Sequence, residues 1–358
     1  MIWVIHFSMI NIILFFSKIF KNDKIFIIGS FSYSVIVFGQ RWMTGVDFPG
    51  YLLYYLIDFN GVEPSYYFLQ NILATNNIYF GILIFITFFL TLINFYRLIS
   101  KFESKKILMI YLYCFLEIYF IQMSQIRQGI SISFFINAFF YMYNNKKYKA
   151  IINALAALSF HISTFLVIPF LFIKPKLSRK TSFYICLIFI VLPFIDITFI
   201  IEFFRIGFYS NYIDSVYDVS LGVSHYFRYY LSLFGTLLYI YNFKNIEKDN
   251  FFYCTVNGQL LYLLFYALSF KYAPIFRISN YFKIFELVFF VYNAKKINRI
   301  SKRTLTLSMI GIVFLLYSSI SLLDPYDISR YEFRALRIRE TKSVNELFSE
   351  INRFYLEE

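Results

Sequence analysis

The chain alternates long apolar runs with short clusters of charged residues. The first runs extend from about Ile2 to Phe20, Ile25 to Gly39 and Ile78 to Ile99. Apolar runs of about 17 to 25 residues can cross a bilayer core of roughly 30 Å as helices, whereas barrel strands alternate over about 10 residues. The pattern predicts an all-α polytopic integral membrane protein, a bundle of about 10 or 11 transmembrane helices.

One polar stretch interrupts this pattern. It contains Arg41, Asp47, Asp58 and Glu63, with glycines and prolines between them. Basic residues follow the first apolar run, and such residues collect on the cytoplasmic side of a membrane. Alternation of the first two spans then places residues 41–77 outside, as a polar outer-face loop.

Simple alternation fails at residues 150–173. This apolar block has basic clusters on both sides, around Lys146 and around Lys174. Either the block violates the positive-inside rule once, or it is a re-entrant pair of short helices that neighbouring protein covers. The charges of the later loops favour re-entry, with the turn near His161. The loop 202–225 is then outside, and the clusters at 244–248 and 295–303 are inside.

The end of the chain gives conflicting signals. No repeat or linker divides it, so residues 1–323 are predicted to form a single membrane domain, followed by a short polar tail at 324–358. Alternation places that tail outside, although its arginines favour the inside. The orientation of the last apolar block, Leu305 to Leu323, therefore stays open at this stage.

Composition supports the membrane assignment and limits the functions. The chain is 59% hydrophobic and 15% charged, whereas soluble domains are about 25% charged. Its formal net charge of +13 fits cytoplasmic loops against anionic lipid, so we expect no nucleic-acid partner. The sequence has no metal-ligand motif and no glycine-rich nucleotide loop, so we expect no metal and no cofactor.

The candidate chemistry lies in arginines beside polar or glycine-containing segments. Arg41, Arg127 and Arg277 are of this kind. Arginine stays charged and grips phosphate or carboxylate with paired hydrogen bonds, so arginines that converge on one face suggest an anionic head group or a phosphate leaving group. His161, in an apolar block, is either a structural histidine, a general base or a phosphate ligand.

The order of the polar motifs resembles a known family. They are Arg41-x3-Gly45-x-Asp47-x3-Tyr51, then Glu63, then Ser-Gln-Ile-Arg127-Gln128, then Lys146-Lys-Tyr-Lys149, then Phe160-His161-Ile-Ser163, and finally Arg277-x3-Tyr281. Together they resemble the EpsG-like branch of the Wzy polysaccharide polymerases over most of the chain.

The resemblance implies a bacterial inner-membrane glycosyltransferase that joins oligosaccharide repeat units on undecaprenyl pyrophosphate at the periplasmic face. It implies membrane lipids as surroundings and a flippase and a chain-length regulator as partners. The catalytic candidates are Arg41, Asp47, Arg127, His161 and Arg277. The substrate-binding candidates are Tyr51, Glu63, Gln125, Gln128 and Tyr281.

Within these candidates, Arg127 and Arg277 are assigned to the pyrophosphate and Arg41 to the same anion or to holding Asp47. The general base is either His161 or Asp47. Two other functions stay open: a flippase or other transporter of lipid-linked oligosaccharide, and an O-antigen ligase. A transporter would more often show two similar halves around a central cavity, which the sequence does not display.

Overall fold

A computed structural model describes residues 2–102, 105–196, 221–241, 249–294 and 331–356. Its first helices and strand are α1 (Ile2–Ile19), α2 (Asp23–Gly39), β1 (Arg41–Trp42), α3 (Phe48–Leu56), α4 (Pro64–Thr75), α5 (Phe80–Ser100), α6 (Lys106–Tyr113), α7 (Glu117–Ser124) and α8 (Ile126–Tyr143). Next come α9 (Lys147–Phe160), α10 (Thr164–Val167), α11 (Pro169–Phe172), α12 (Arg179–Val191), a 3-10 turn (Leu192–Phe194), α13 (Val223–Tyr241) and α14 (Asn250–Leu268). The last elements are a 3-10 turn (Ala273–Ile275), α15 (Phe276–Ser279), α16 (Ile284–Ala294), β2 (Glu332–Phe333) and α17 (Val344–Leu356).

The described helices confirm an all-α membrane protein. Among them, α1, α5 and α14 are long and apolar enough to span a bilayer, and α6 with α7 forms a fourth candidate that is bent by 49°. In α1 only 22% of the apolar window is buried within the protein, and Phe7 and Phe15 are exposed. Exposed apolar side chains along a long helix are expected where lipid covers them.

The chain divides into two compact units. The first contains Met1–Ala138, Ile151–Phe165 and Ser318–Glu358. The second contains Phe139–Ala150 and Leu166–Tyr317. The long polar stretch and the tail therefore both belong to the first unit.

Residues 41–77, predicted as an outer-face loop, contain two helices. In α3, Phe48, Leu52 and Tyr55 are buried at helical spacing, and Pro64 begins α4. The spacing is that of an amphipathic helix, and proline is favoured in the first helical turn because its missing N–H has no partner to lose there. Charged residues at the ends of these helices concealed this pattern in the sequence.

The block at 150–173 is broken where the re-entrant interpretation places its turn. Helix α9 ends at Phe160, a turn follows, and two short helices, α10 and α11, continue the chain. Ser131 Oγ of α8 donates to the Ala157 carbonyl at 2.8 Å and also hydrogen-bonds Thr164 Oγ1, which fixes the break against α8. The break agrees with the predicted turn, and re-entry itself stays a prediction.

The tail docks on the polar stretch of the first unit. Strand β2 pairs antiparallel with β1, with Arg41 opposite Phe333 and Trp42 opposite Glu332. Beyond the strand, the Tyr79 N–H donates to the Ile338 carbonyl at 3.0 Å. Two segments in direct contact lie on the same side of a membrane, so residues 331–356 share the side of residues 41–79.

The tail arginines make aromatic and ionic contacts with the polar stretch and within the tail. The Arg334 guanidinium lies 3.8 Å from the centre of the Trp42 ring, and Arg337 lies 4.4 Å from that of Tyr79. The Trp42 indole N–H donates to Glu350 at 3.0 Å. These arginines serve packing contacts and ion pairs. Several predicted segments are not among the described residues. They are residues 202–220 of the predicted loop 202–225, the clusters at 244–248 and 295–303, and the block Leu305 to Leu323.

Candidate functional site

Glu63 connects three segments of the first unit. It precedes α4 in an extended conformation, and its side chain is only 13% exposed. One carboxylate oxygen pairs with the Arg127 guanidinium in the first turn of α8. The other accepts the Ile162 backbone N–H at 3.2 Å and lies 3.8 Å from His161 Nδ1. The structure thus brings together Glu63, Arg127 and His161, which are far apart in sequence. We call these three residues the outer cluster, after the predicted outer-face loop that contains Glu63.

Two tyrosines surround the Arg127 side chain. Its guanidinium carbon lies 5.6 Å from the centre of the Tyr51 ring and 6.0 Å from that of Tyr66, and Arg127 also hydrogen-bonds Tyr51. Burial, together with the negative charge of Asp47, raises the pKa of Tyr51 to about 12, so its hydroxyl is protonated at neutral pH. Arg127 is therefore held by one carboxylate and by neutral aromatic groups, which orient its planar head.

The hydrogen bonds of His161 select its tautomer. The Ser163 backbone N–H donates to His161 Nδ1 at 3.1 Å, and the Ser163 hydroxyl lies 3.0 Å from the same nitrogen. An amide N–H can only donate, so Nδ1 is the acceptor and the neutral ring carries its hydrogen on Nε2. In this tautomer the hydrogen is on Nε2, and the Nδ1 lone pair faces the turn and Glu63.

Arg41 lies beside this site in a supporting position. The side chain is 1% exposed and donates to the Phe38 carbonyl at 2.9 Å and the Met123 carbonyl at 3.0 Å. These bonds tie the end of α2 to the end of α7. Burial lowers the pKa of Arg41 to about 9, which still leaves it charged at neutral pH. The predicted role of Arg41 toward the anion or Asp47 stays a prediction.

A glycine makes the approach of this loop possible. Gly45 has φ of +95°, and a Cβ there would lie 2.8 Å from the Ser124 Cα. A side chain would therefore meet both an unfavourable backbone conformation and a backbone clash. Asp47 follows two residues later, at the exposed start of α3 and one helical turn before Tyr51.

Folding uses only part of the hydrogen-bonding capacity near the outer cluster. Several buried polar atoms have no partner among the described residues, and they are Arg41 Nε, Tyr66 Oη, Ser124 Oγ, Gln125 Oε1 and Arg127 Nε. Native proteins rarely leave such groups unused, and each one needs an explanation such as a ligand contact. Of the predicted substrate-binding pair, Gln125 is partly buried two residues before Arg127, and Gln128 is 2% exposed in the first turn of α8.

Two predicted residues belong to the second unit. Arg277 is partly exposed on the short helix α15, and Tyr281 is fully buried just after it. The convergence of Arg277 with Arg127 stays a prediction. Among the described residues, no three or more His, Cys, Asp or Glu side chains are placed to hold a metal ion.

Tyr66 and the docking of the tail were not predicted from the sequence. Tyr66 is fully buried against Arg127, and its position three residues after Glu63, on the first turn of α4, is the signal that could have revealed it. Nothing in the local sequence links the tail to Trp42, because that contact joins residues about 300 positions apart.

Long apolar helices with exposed apolar faces, and a charged cluster between polar segments, define this protein as an α-helical integral membrane protein. The chain belongs to the EpsG family, whose model matches residues 24–333. That match includes the polar stretch, the outer cluster, Arg277 and Tyr281. Neither the search of curated proteins nor the search of solved structures found a match. Membership connects the chain with the biosynthesis of polysaccharide at a membrane.

Proposed function

We propose that the protein is a polymerase that joins oligosaccharide repeat units carried on undecaprenyl pyrophosphate, to build O-antigen or another surface polysaccharide. The observation that carries the proposal is the outer cluster. An oriented arginine, a histidine whose neutral ring carries its hydrogen on Nε2, and polar atoms without a partner among the described residues lie together in a membrane protein of the EpsG family. Such donors suit a pyrophosphate that leaves with its electron pair.

In the proposed reaction, a hydroxyl of the acceptor repeat unit attacks the anomeric carbon of the donor chain. The new glycosidic C–O bond forms as the bond from that carbon to the phosphate oxygen breaks. Arg127 and His161 Nε2–H stabilise the negative charge on the departing undecaprenyl pyrophosphate. Arg277 is the proposed second cation, and Tyr281 a proposed substrate contact.

The tautomer of His161 bears on the choice of base. Because Nδ1 accepts the Ser163 N–H, His161 suits hydrogen-bond donation better than proton removal. Asp47 is exposed and lies close enough to raise the pKa of Tyr51. We therefore assign Asp47 as the base that takes the proton of the acceptor hydroxyl, and Glu63 as the residue that positions Arg127.

The membrane arrangement follows from the same proposal. We place the protein in the inner membrane as a multi-pass bundle of about 10 or 11 spans, with 150–173 re-entrant and the outer cluster at the periplasmic face. Lipid-linked substrates reach that face after a flippase has moved them. A chain-length regulator is the other proposed partner.

The test uses purified full-length protein in detergent and synthetic undecaprenyl-pyrophosphate repeat units, with EDTA and without nucleotide. Products are separated on a gel and weighed by mass spectrometry. The expected result is a ladder of repeat-unit multiples. Unchanged substrate, in a preparation shown to bind it, would refute polymerisation and favour a flippase or a ligase that needs another acceptor.

A further inference from the structure

A cavity lies in the first unit, between the ends of α3 and α4 and the docked tail. Its volume is about 480 Å³, within the roughly 300–1,000 Å³ of typical ligand sites. Apolar and aromatic side chains such as Leu52, Tyr55 and Phe80 line one part, and Asp58, Asn77 and Arg339 line another. An apolar wall with a few polar groups is the usual composition of a site that binds a small polar molecule.

Two of the lining residues have an unusual backbone. Asp58 and Asn77 have φ of +47° and +52°, and each lies just beyond the last turn of its helix, α3 or α4. Glycine is the common residue at such positions, since it adopts this conformation without strain. Here the end of α3 carries a carboxylate, Asp58, and the end of α4 carries an amide, Asn77. Both residues line the cavity.

The polar groups of the cavity include donors and acceptors that folding leaves available. Asn77 and Arg339 are exposed, and their side chains make no hydrogen bond or ion pair within the described ranges. The Asp58 carboxylate accepts from Asn71 Nδ2 at 3.1 Å and keeps further lone pairs, because an ionised carboxylate has about four acceptor positions. Arginine only donates, and asparagine both donates and accepts. The two other charged residues that line the cavity, Glu340 and Lys342, form ion pairs within the tail.

This combination discriminates between ligand classes. An anionic head group would meet the carboxylate of Asp58, and a purely apolar ligand would leave Asn77 and Arg339 without partners. A saccharide has hydroxyls that donate and accept, together with C–H faces that pack on aromatic rings. It therefore matches both parts of the cavity.

We propose that this cavity is a saccharide-binding subsite that holds the sugar portion of the substrate during polymerisation. The inference rests on the proposed function. Helix α3 connects the two sites, because Tyr51 lies beside Arg127 and Tyr55 lines the cavity one turn later, about 6 Å along the helix axis. The sugar could belong to a single lipid-linked unit or to the growing chain, and the test separates these sources.

The test measures binding of lipid-free oligosaccharides to the full-length protein in detergent by isothermal titration calorimetry. The probes are single repeat units and longer oligomers, prepared by partial acid hydrolysis of the host's surface polysaccharide, with dextran oligomers as a control. The variants are Asp58→Gly and Asn77→Gly, which remove the polar side chain but keep the favoured backbone. The matched control is Asn145→Gly, a residue with φ of +57° in the second unit.

We expect Asn77→Gly and Asp58→Gly each to weaken binding about tenfold, since each loses hydrogen bonds to the sugar. Asn77→Gly should keep or raise the thermal stability, whereas Asp58→Gly also loses the hydrogen bond from Asn71, so Asn77→Gly is the decisive variant. Asn145→Gly should bind normally. Tighter binding of longer oligomers identifies the growing chain as the ligand, and equal binding identifies the single unit.

Two outcomes would overturn the subsite and leave the polymerase standing: a preparation that polymerises without binding lipid-free sugar, or Asn77→Gly and Asp58→Gly variants that bind normally. Binding with the expected losses but without any polymerisation would support the subsite and refute the proposed function instead.

Discussion

Replacing Arg127 by lysine tests whether the outer cluster grips the pyrophosphate through the shape of a guanidinium. Lysine keeps the charge and can still approach Glu63, but it loses the planar fork and its packing against Tyr51. The Glu63 and Arg127 side chains are 13% and 23% exposed. The pair is therefore better shielded than surface ion pairs, which contribute about 0.2–1 kcal/mol.

The expected magnitude follows from the hydrogen bonds lost. A hydrogen bond to a charged group contributes about 1.5–3 kcal/mol, and about 1.4 kcal/mol corresponds to a tenfold change in rate. Arg127→Lys should thus lower kcat by about tenfold to a hundredfold, with a smaller effect on KM. The assay is the ladder reaction at equal protein and lipid-linked substrate. Arg97→Lys, at an exposed position near the end of α5, is the control and should be normal.

The partner substitution Glu63→Gln distinguishes positioning from a merely structural role. Glutamine still accepts the Ile162 N–H but no longer neutralises Arg127, so kcat should fall while inorganic pyrophosphate inhibits more strongly. Because the two residues act as a unit, the double variant should be no slower than the slower single variant. Activity of Arg127→Lys within twofold of normal, or losses in the double variant that simply multiply, would refute the reasoning.

Three further results are expected. Gly45→Ala should reduce folded yield and Tm, measured by fluorescence-detected size exclusion, because its Cβ would meet the Ser124 backbone at 2.8 Å; a normal Tm would contradict this. Burial opposes ionisation of Glu350, but hydrogen bonds from Lys342 and Arg334 outweigh it and depress the pKa of this carboxyl below its ordinary 4.5. The Glu350 carboxylate therefore stabilises the docked tail above pH 4.5, and this stabilisation is lost as the pH falls through the lower pKa of the folded state. Tryptophan fluorescence from pH 6 to 3 should show this loss in the unsubstituted protein and not in Glu350→Gln, and identical curves would exclude it. Asn60→Cys and Asn352→Cys should react alike with a membrane-impermeant maleimide in intact cells, since the tail docks beside the polar stretch. Labelling of only one of the two would disprove that these segments lie on the same side of the membrane.

The sequence predicts the helices well because membrane helices carry their signal locally. The predicted runs from Ile2, Ile25 and Ile78 correspond to α1, α2 and α5 within a few residues. A backbone in lipid must satisfy its own hydrogen bonds, so a long apolar run has few alternatives to a helix. Helices α3 and α4 were missed because they are short and amphipathic, and polar residues at their ends resemble a loop.

The candidate site was predictable in part. Unusual polar residues in an apolar chain drew attention to Glu63, Arg127 and His161, because charge near a membrane is costly unless it has a use. That all three lie within contact distance is a tertiary result. Docking of the tail was beyond prediction as well, since the positive-inside rule takes no account of arginines that stack on aromatic rings.

The pairing of Arg127 with Glu63 has a consequence for turnover. In the proposed reaction the donor substrate and the released lipid product carry the same pyrophosphate, so a free guanidinium would hold the product as firmly as the substrate. Only interactions that strengthen in the transition state raise the rate of the chemical step. An arginine already neutralised by a carboxylate binds either ground-state anion less tightly, yet it can turn toward the oxygen on which charge develops as the bond to the sugar breaks. Glu63 would therefore favour release of the product while the hydrogen bonds of Arg127 remain directed at the reaction.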